Sequence, residues 1–166
     1  MRKILFYGYG NPGRQDDGLG ISFIENLQNW TKTKNITNIF FDSNYQLNIE
    51  DADTIAQYDI VIFVDASEEN IEDFCVTEVE PAPEVNFTMH STSPGFVLNL
   101  CKEIKNKMPQ TYLIHIKGYQ WEFQKALSSN AQSNLAKALM FIKNELDNAA
   151  RDRTIFANIL QNRKCK

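Results

Sequence analysis

Two adjacent carboxylates, Asp16 and Asp17, follow a glycine-rich stretch near the start of the chain. The residues before that stretch, Ile4, Leu5 and Phe6, are apolar and predict a short buried strand. The glycines allow the sharp turn that connects such a strand to a helix, which we predict to begin near the acidic pair. One Asp is explained as the N-cap of that helix, but a cap does not need two acids. We therefore expect the pair to serve a cation or a proton.

Two further groups could join the acidic pair. Asp65 directly follows the apolar run 60–64, and His90 lies in a loop before a helix that Ser93 and Pro94 are expected to start. Loops at the carboxyl ends of parallel strands meet at one edge of a sheet, where ligands bind. Two carboxylates and one imidazole would form an open site for a divalent transition metal. We predict that Asp17, Asp65 and His90 share such a site, at their ordinary pKa values.

Each of these groups also has a structural interpretation. Asp65 is equally explained as a loop acid that turns the chain, and an exposed loop histidine such as His90 is usually only solvated. The second histidine, His115, alternates with Leu113 and Lys117 in an apolar pattern, which favours a structural role inside a strand.

Strand and helix patterns alternate along most of the chain. This alternation predicts a single-domain α/β three-layer sandwich, with a mostly parallel, twisted sheet of about five strands and helices on both faces. The predicted strands are at about 3–8, 37–42, 59–65, 74–80 and 111–118. The predicted helices are at about 17–29, 48–57, 94–107, 129–148 and 152–163. The fourth strand alternates in polarity more than the others, so we expect it at an edge and antiparallel.

Composition narrows the possible partners. The 166 residues carry a net charge of −4 and no concentrated basic face, which argues against nucleic acid. The sequence contains no long apolar run and no signal peptide, so we expect a cytoplasmic protein without a membrane partner. The three cysteines are widely spaced, and their odd number favours reduced thiols, with Cys101 as a small core residue.

The glycine-rich stretch allows one alternative. Gly8, Gly10 and Gly13 satisfy the G-x-G-x-x-G pattern of dinucleotide-binding folds, and Asp42 could act as the ribose-binding acid. However, Asp42 lies further from the last glycine than the usual interval of about 20 residues. The two acids at the helix start would also repel a diphosphate.

In combination, the motifs resemble those of the nickel-iron hydrogenase maturation endopeptidases. The opening reads Gly8-x-Gly10-Asn11-x4-Asp16-Asp17-Gly18-x-Gly20, a strand ends in Val-Asp-Ala at Asp65, and a loop histidine precedes Ser-x-Gly-x-x-Leu. The similarity runs over about residues 3–148 and includes the late segment Ile116-Lys-Gly-Tyr-Gln120. The resemblance assigns residues 1–150 to a peptidase-like domain and 151–166 to a basic C-terminal helix or tail of that domain.

The resemblance implies a cytoplasmic, metal-dependent peptidase, expected to be a monomer. Its substrate would be a hydrogenase large-subunit precursor, from which it removes a C-terminal extension after nickel insertion. Asp17, Asp65 and His90 align with the family's metal-binding and catalytic positions. The nickel would arrive with the substrate, and other divalent cations could occupy the site.

One departure from the family pattern concerns the substrate cleft. The loop 42–48 resembles a Gln-Leu variant of the family and not the commoner Asp-Gly-Gly-Thr sequence. On that basis Asp42, together with Asp16, is expected to line the substrate cleft.

Two other functions stay open beside the peptidase: a nucleotide-dependent oxidoreductase of the Rossmann type and a catalytically silent nickel-sensing chaperone.

Overall fold

The computed structural model describes residues 1–83, 92–152 and 163–165. Five strands form one sheet: β1 (Ile4–Tyr9), β2 (Ile39–Asn44), β3 (Ile60–Ser67), β4 (Phe74–Glu78) and β5 (Gln110–Lys117). Four α-helices accompany them: α1 (Leu19–Thr33), α2 (Asp51–Ile55), α3 (Pro94–Lys105) and α4 (Ser129–Asp152). None of the helices in the described ranges is long and apolar enough to cross a membrane.

The strands are arranged in the order β2-β1-β3-β5-β4. All neighbours are parallel except β4, which runs antiparallel to β5 at the edge of the sheet. After β1 the chain builds outward to β2, and it then returns to place β3 on the other side of β1. The order therefore reverses between β1 and β3, and such a switch point leaves a crevice at the carboxyl ends of the two strands.

Helices cover both faces of the sheet and create two cores. Alternate residues of β1, such as Phe6 and Tyr7, point to opposite faces and are both buried. Helices α1 and α4 pack on the face of Phe6, and α2 and α3 pack on the face of Tyr7. The central strand β3 is apolar without alternation because it is buried on both sides. The predicted three-layer α/β class, including the antiparallel edge strand, is confirmed.

The element boundaries differ from the predicted ones at the ends. A 3-10 turn over Gln15–Gly18 precedes α1, and Gly18 is the N-cap of α1, so neither acid of the pair caps that helix. Ser93 does cap α3, where its hydroxyl accepts a hydrogen bond from the amide of Phe96 at 3.2 Å. Helix α4 continues to Asp152. The helix predicted at 152–163 lies almost entirely outside the described residues, and the division of the chain near residue 150 stays a prediction.

The cysteine prediction is wrong for two of the three residues. Cys75 in β4 and Cys165 form a disulfide across a sequence separation of 90 residues. Only Cys101 is a free thiol in the described parts of the chain, and it lies on the buried face of α3 in the core, as predicted. The odd number of cysteines was misleading, because it does not indicate which of them lie close together in the folded protein.

Gly20 sets the distance between α1 and the sheet. A Cβ on Gly20 would stand 2.5 Å from the carbonyl oxygens of both Tyr9 and Val64, closer than real contacts allow. We expect Gly20→Ala to push α1 off the sheet and to lower the free energy of unfolding by about 1–3 kcal/mol. Gly13→Ala is the control, because a Cβ there meets only the side chain of Asn11 at 3.1 Å. Equal urea midpoints for the two variants would contradict the close packing.

Candidate active site

A cleft of about 310 Å³ lies at the carboxyl ends of β1 and β3, where the strand order reverses. It brings Asp17 and Asp65 together, although Asp65 lies within β3 and not in the loop after it. The cleft is open to the surface, and its described lining contains two acids and no basic side chain. The lining residues are Tyr9, Gly10, Asp17, Tyr45, Gln46, Leu47, Asp65, Thr92, Ser93 and Pro94.

The glycine-rich loop folds back on Asp17. One carboxylate oxygen, Oδ2, accepts a hydrogen bond from the amide of Asn11 at 2.9 Å. Gly10 has a φ of +129°, and a Cβ there would collide with the carbonyl oxygen of Asp17, so only glycine fits. The side chain of Asn11 in turn accepts from the amide of Gly13 at 2.9 Å. The loop therefore holds Asp17 through one carboxylate oxygen, and Asp17 forms part of the cleft lining.

Asp65 does not have the ordinary pKa that the sequence led us to expect. Its pKa is raised to about 7. Burial is the largest cause and the negative charge of Asp17 adds to it, whereas hydrogen bonds from the amide of Ala66 and the hydroxyl of Tyr9 act in the opposite direction. Burial and the charge of Asp65 likewise raise the pKa of Tyr9 well above its usual value. Two carboxylates are thus close enough to repel each other, which is the electrostatic situation that a divalent cation relieves.

The third predicted ligand, His90, lies outside the described residues. The residues that follow it, Thr92 and Ser93, do line the cleft. Within residues 1–83, 92–152 and 163–165 no group of three His, Cys, Asp or Glu side chains could hold a metal ion. The pair Asp17 and Asp65 therefore stands in the described cleft as two possible oxygen ligands, and the role of His90 stays a prediction.

Asp16 does not line the cleft, contrary to the prediction. It is fully buried, and its carboxylate accepts four hydrogen bonds from the loop between β5 and α4, residues 118–128. The donors are the amides of Tyr119, Gln120 and Ser128 and the hydroxyl of Ser128, at 2.7–3.0 Å. Burial alone would raise the pKa of Asp16, but these donors outweigh it and hold the pKa below its usual value.

Further contacts join the same two loops. Gln15 is buried, donates to the side chain of Gln120 at 2.8 Å and accepts from the amide of Glu122 at 3.2 Å. The amide of Gln124 donates to the carbonyl of Gly13 at 2.9 Å. The late segment that resembled the family in sequence thus braces the loop that carries Asp17. No sequence pattern predicts this contact, because its partners lie more than 100 residues apart.

Asp42 is also placed away from the cleft. It lies within β2, opposite Tyr7 of β1, and is exposed. The strand continues two residues beyond Asp42, so the Gln-Leu segment after it reaches the cleft instead, through Gln46 and Leu47. The predicted strand end at about residue 42 was therefore two residues too early. The residues after β2 that line the cleft lie correspondingly further along the chain than Asp42.

His115 takes the structural role that its alternation favoured. Its Nε2 lies 2.9 Å from the hydroxyl of Thr77 on the neighbouring strand β4. Burial lowers the pKa of His115, with a small opposing effect from Glu69. Tyr9, by contrast, is a cleft residue that the sequence reading missed. Its position directly before Gly10, at the end of β1, was the available signal.

The geometry defines an α/β/α protein with an acidic cleft at the switch point of its sheet. No family model and no curated protein matches the sequence. Solved structures do match in fold. The [NiFe] hydrogenase maturation protease HycI from Thermococcus kodakarensis KOD1 has a TM-score of 0.71 and 20% identity, over 89% of this chain and 94% of that one.

Two further structures agree with that match. The hydrogenase maturating endopeptidase HybD from E. coli has a TM-score of 0.67 and 18% identity, over 89% of this chain and 93% of that one. A hydrogenase 2 maturation peptidase from a Thaumarchaeota archaeon has a TM-score of 0.60 and 18% identity, over 87% of this chain and 98% of that one. The chain therefore has the fold of the hydrogenase maturation proteases, and the resemblance read from the sequence is confirmed at the level of the fold.

The different surroundings of the two adjacent acids can be tested by stability. We expect Asp16→Asn to lower the free energy of unfolding by about 2–4 kcal/mol, because an amide nitrogen cannot accept the buried hydrogen bonds. Asp17→Asn keeps one oxygen for the amide of Asn11 and should cost about 1 kcal/mol or less. Urea denaturation of both variants measures the difference. Equal losses of unfolding free energy in the two variants would mean that the four hydrogen bonds to Asp16 add no stability.

The loss at Asp16 should depend on pH. Its folded-state pKa lies below the usual 3.8, so the carboxylate contributes its full stability above that value. As the pH falls through the lowered folded pKa, the wild-type protein loses this contribution and approaches the variant.

Proposed function

We propose that the protein is an endopeptidase that removes a C-terminal extension from the nickel-loaded large-subunit precursor of a nickel-iron hydrogenase. The observation that carries the proposal is the carboxylate pair Asp17 and Asp65 in an open cleft at the switch point. The fold supports it, because structures that share it are hydrogenase maturation proteases. We also propose that the protein acts in the cytoplasm and has no nucleic-acid partner.

The residues of the cleft fit a cation better than an anion. Asp17 and Asp65 supply hard oxygen donors, and His90 would add a nitrogen donor. The nickel belongs to the substrate in this proposal, and once bound it would polarise the scissile carbonyl or acidify a water molecule. Asp17 is oriented by the amide of Asn11, which leaves its second oxygen for the ion. The hydroxyl of Tyr9, which also lines the cleft, orients Asp65 through a hydrogen bond.

The cleft is also suited to an extended peptide. Its volume of about 310 Å³ accommodates only a few residues, so most of the recognition must come from the folded precursor outside it. Tyr45 stands on the cleft wall with 67% of its surface exposed and offers an apolar contact to such a partner. We propose a transient complex of a monomeric enzyme with the precursor.

The nucleotide-binding alternative is disfavoured by the glycine-rich loop. In a dinucleotide site the amides of this loop hold the pyrophosphate. Here the amide of Asn11 donates to the carboxylate of Asp17, and the amide of Gly13 donates to the side chain of Asn11. The loop thus uses these donors internally and adds a negative charge where the phosphate would lie. Nothing in the described residues favours a non-catalytic chaperone over the peptidase.

Processing of the precursor tests the proposed chemistry. Incubation with the nickel-loaded large subunit should shorten it by its C-terminal extension, as measured by intact-mass spectrometry. We expect Asp17→Asn and Asp65→Asn to reduce the trimming rate by at least about 100-fold, because each removes a charged ligand. Asp42→Asn is the matched control and should trim at the wild-type rate, since Asp42 lies outside the cleft. A fully active Asp17→Asn protein would remove that residue from the site.

Recognition of the metal state gives a second, independent test. Pull-down with nickel-free, nickel-loaded and already trimmed large subunit should retain the loaded precursor preferentially, because the carboxylate pair binds only when the ion is present. Asp65→Asn should abolish this preference without unfolding the enzyme, as checked by circular dichroism. Equal retention of all three subunit forms by the wild-type protein would show that the enzyme does not discriminate by metal.

A further inference from the structure

The C-terminal segment 163–165 lies along the free edge of the sheet. Strand β4 is the outermost strand, and Lys164 pairs with its Val76 in a parallel bridge. The amide of Cys165 donates to the carbonyl of Val76 at 3.3 Å. An edge strand normally presents unpaired backbone groups, so this segment covers a position that is otherwise open to other chains.

Side chains hold the same segment in place. Arg163 forms an ion pair with the buried carboxylate of Asp73 at 3.0 Å, and its guanidinium lies 4.4 Å from the ring centre of Phe74. Asp73 has two other partners, Lys137 at 3.2 Å and the amide of Phe74 at 2.6 Å. The carboxylate therefore keeps a cation and a donor if Arg163 leaves, and the domain does not depend on the segment for its buried charge.

The covalent link at this edge is the disulfide between Cys75 and Cys165. Their Cα atoms are 5.0 Å apart, within the reach of about 4.4–6.8 Å for such bonds. Cys75 is buried, whereas Cys165 is only partly covered, so an attacking thiolate has access from the side of Cys165. Neither cysteine belongs to the main core, although Phe74 and Val76, the neighbours of Cys75 in β4, do.

We propose that Cys75 and Cys165 form a reversible redox modification site that latches the C-terminal segment onto β4. Oxidation by a low-molecular-weight disulfide joins the two sulfurs. Two electrons pass from the cysteine thiols to that disulfide, whose two halves leave as thiols carrying the two protons. A dithiol reductant reverses the reaction. The inference goes beyond the proposed peptidase and does not depend on it.

Opening the latch uncovers a defined surface. The carbonyl of Val76 loses the amide of Cys165, and one face of the Phe74 ring loses Arg163. The remainder of β4 stays paired with β5 along its inner side. Reduction should therefore loosen the outer edge of the sheet while the fold persists. In a reducing compartment the open form dominates, and an oxidising challenge closes it.

The test uses the full chain equilibrated with either reduced dithiothreitol or oxidised glutathione. In the oxidised protein we expect alkylation of Cys75 and Cys165 to be blocked and the mass to be lower by two hydrogen atoms. Hydrogen exchange at the amide of Cys165 should be at least about tenfold slower than in the reduced protein. Return to dithiothreitol should restore both alkylation and fast exchange.

Two variants distinguish an effect of the disulfide from an effect on overall stability. Cys165→Ser should exchange like the reduced wild-type protein under both conditions, and it changes a residue outside the core. Cys101→Ala removes the remaining thiol and should keep the full redox response. The proposal is overturned if both cysteines stay alkylatable after oxidation, if Cys165 pairs only with a second molecule, or if Cys165→Ser exchanges as slowly as the oxidised wild type.

Discussion

The backbone-to-backbone contact between α1 and the first strand determines where the chemistry of this protein can lie. Gly20 of the helix approaches the carbonyls of Tyr9 and Val64, and Gly8 of the strand approaches the carbonyl of Gly20. A side chain at either glycine would separate the two elements. Because the helix starts so close to the strand, the short loop between them has to turn back over the end of the sheet. That turn carries Asp17 to the crevice beside β3.

The acids of the site show how much environment decides the behaviour of a carboxylate. Asp16 is fully buried, and four donors hold its pKa below the usual value. Asp65 has fewer donors, so burial and, to a lesser extent, the negative charge of Asp17 raise its pKa to about 7. Hydrogen-bond donors and neighbouring charge, and not depth of burial alone, determine the direction of each shift. One acid is therefore suited to hold a loop, and the other is suited to exchange its proton for a cation.

The sequence predicted those features that depend on local pattern. Apolar runs located all five strands, and the position of Asp17 and Asp65 towards the carboxyl ends of neighbouring strands placed them in one cleft. It did not predict features that depend on distant partners. Asp16 was wrongly assigned to the cleft, because hydrophobic periodicity does not reveal its hydrogen bonds to residues 119–128. Asp42 was misplaced by an error of two residues in a strand end, and the cysteine pair spans 90 residues.

The disulfide has a mechanical consequence for the oxidised protein. It closes a covalent loop from Cys75 to Cys165, which contains α3, β5 and α4. A pulling force applied between the first residue and the C-terminal segment passes through the sulfur bridge and does not enter that loop. Only the chain from residue 1 to Cys75 can be extended, so β1, β2 and β3 would have to separate from the sheet while the covalent loop, which is hydrogen-bonded to β3 through β5, keeps its length. Reduction would return the whole chain to the force path and lengthen the molecule at rupture.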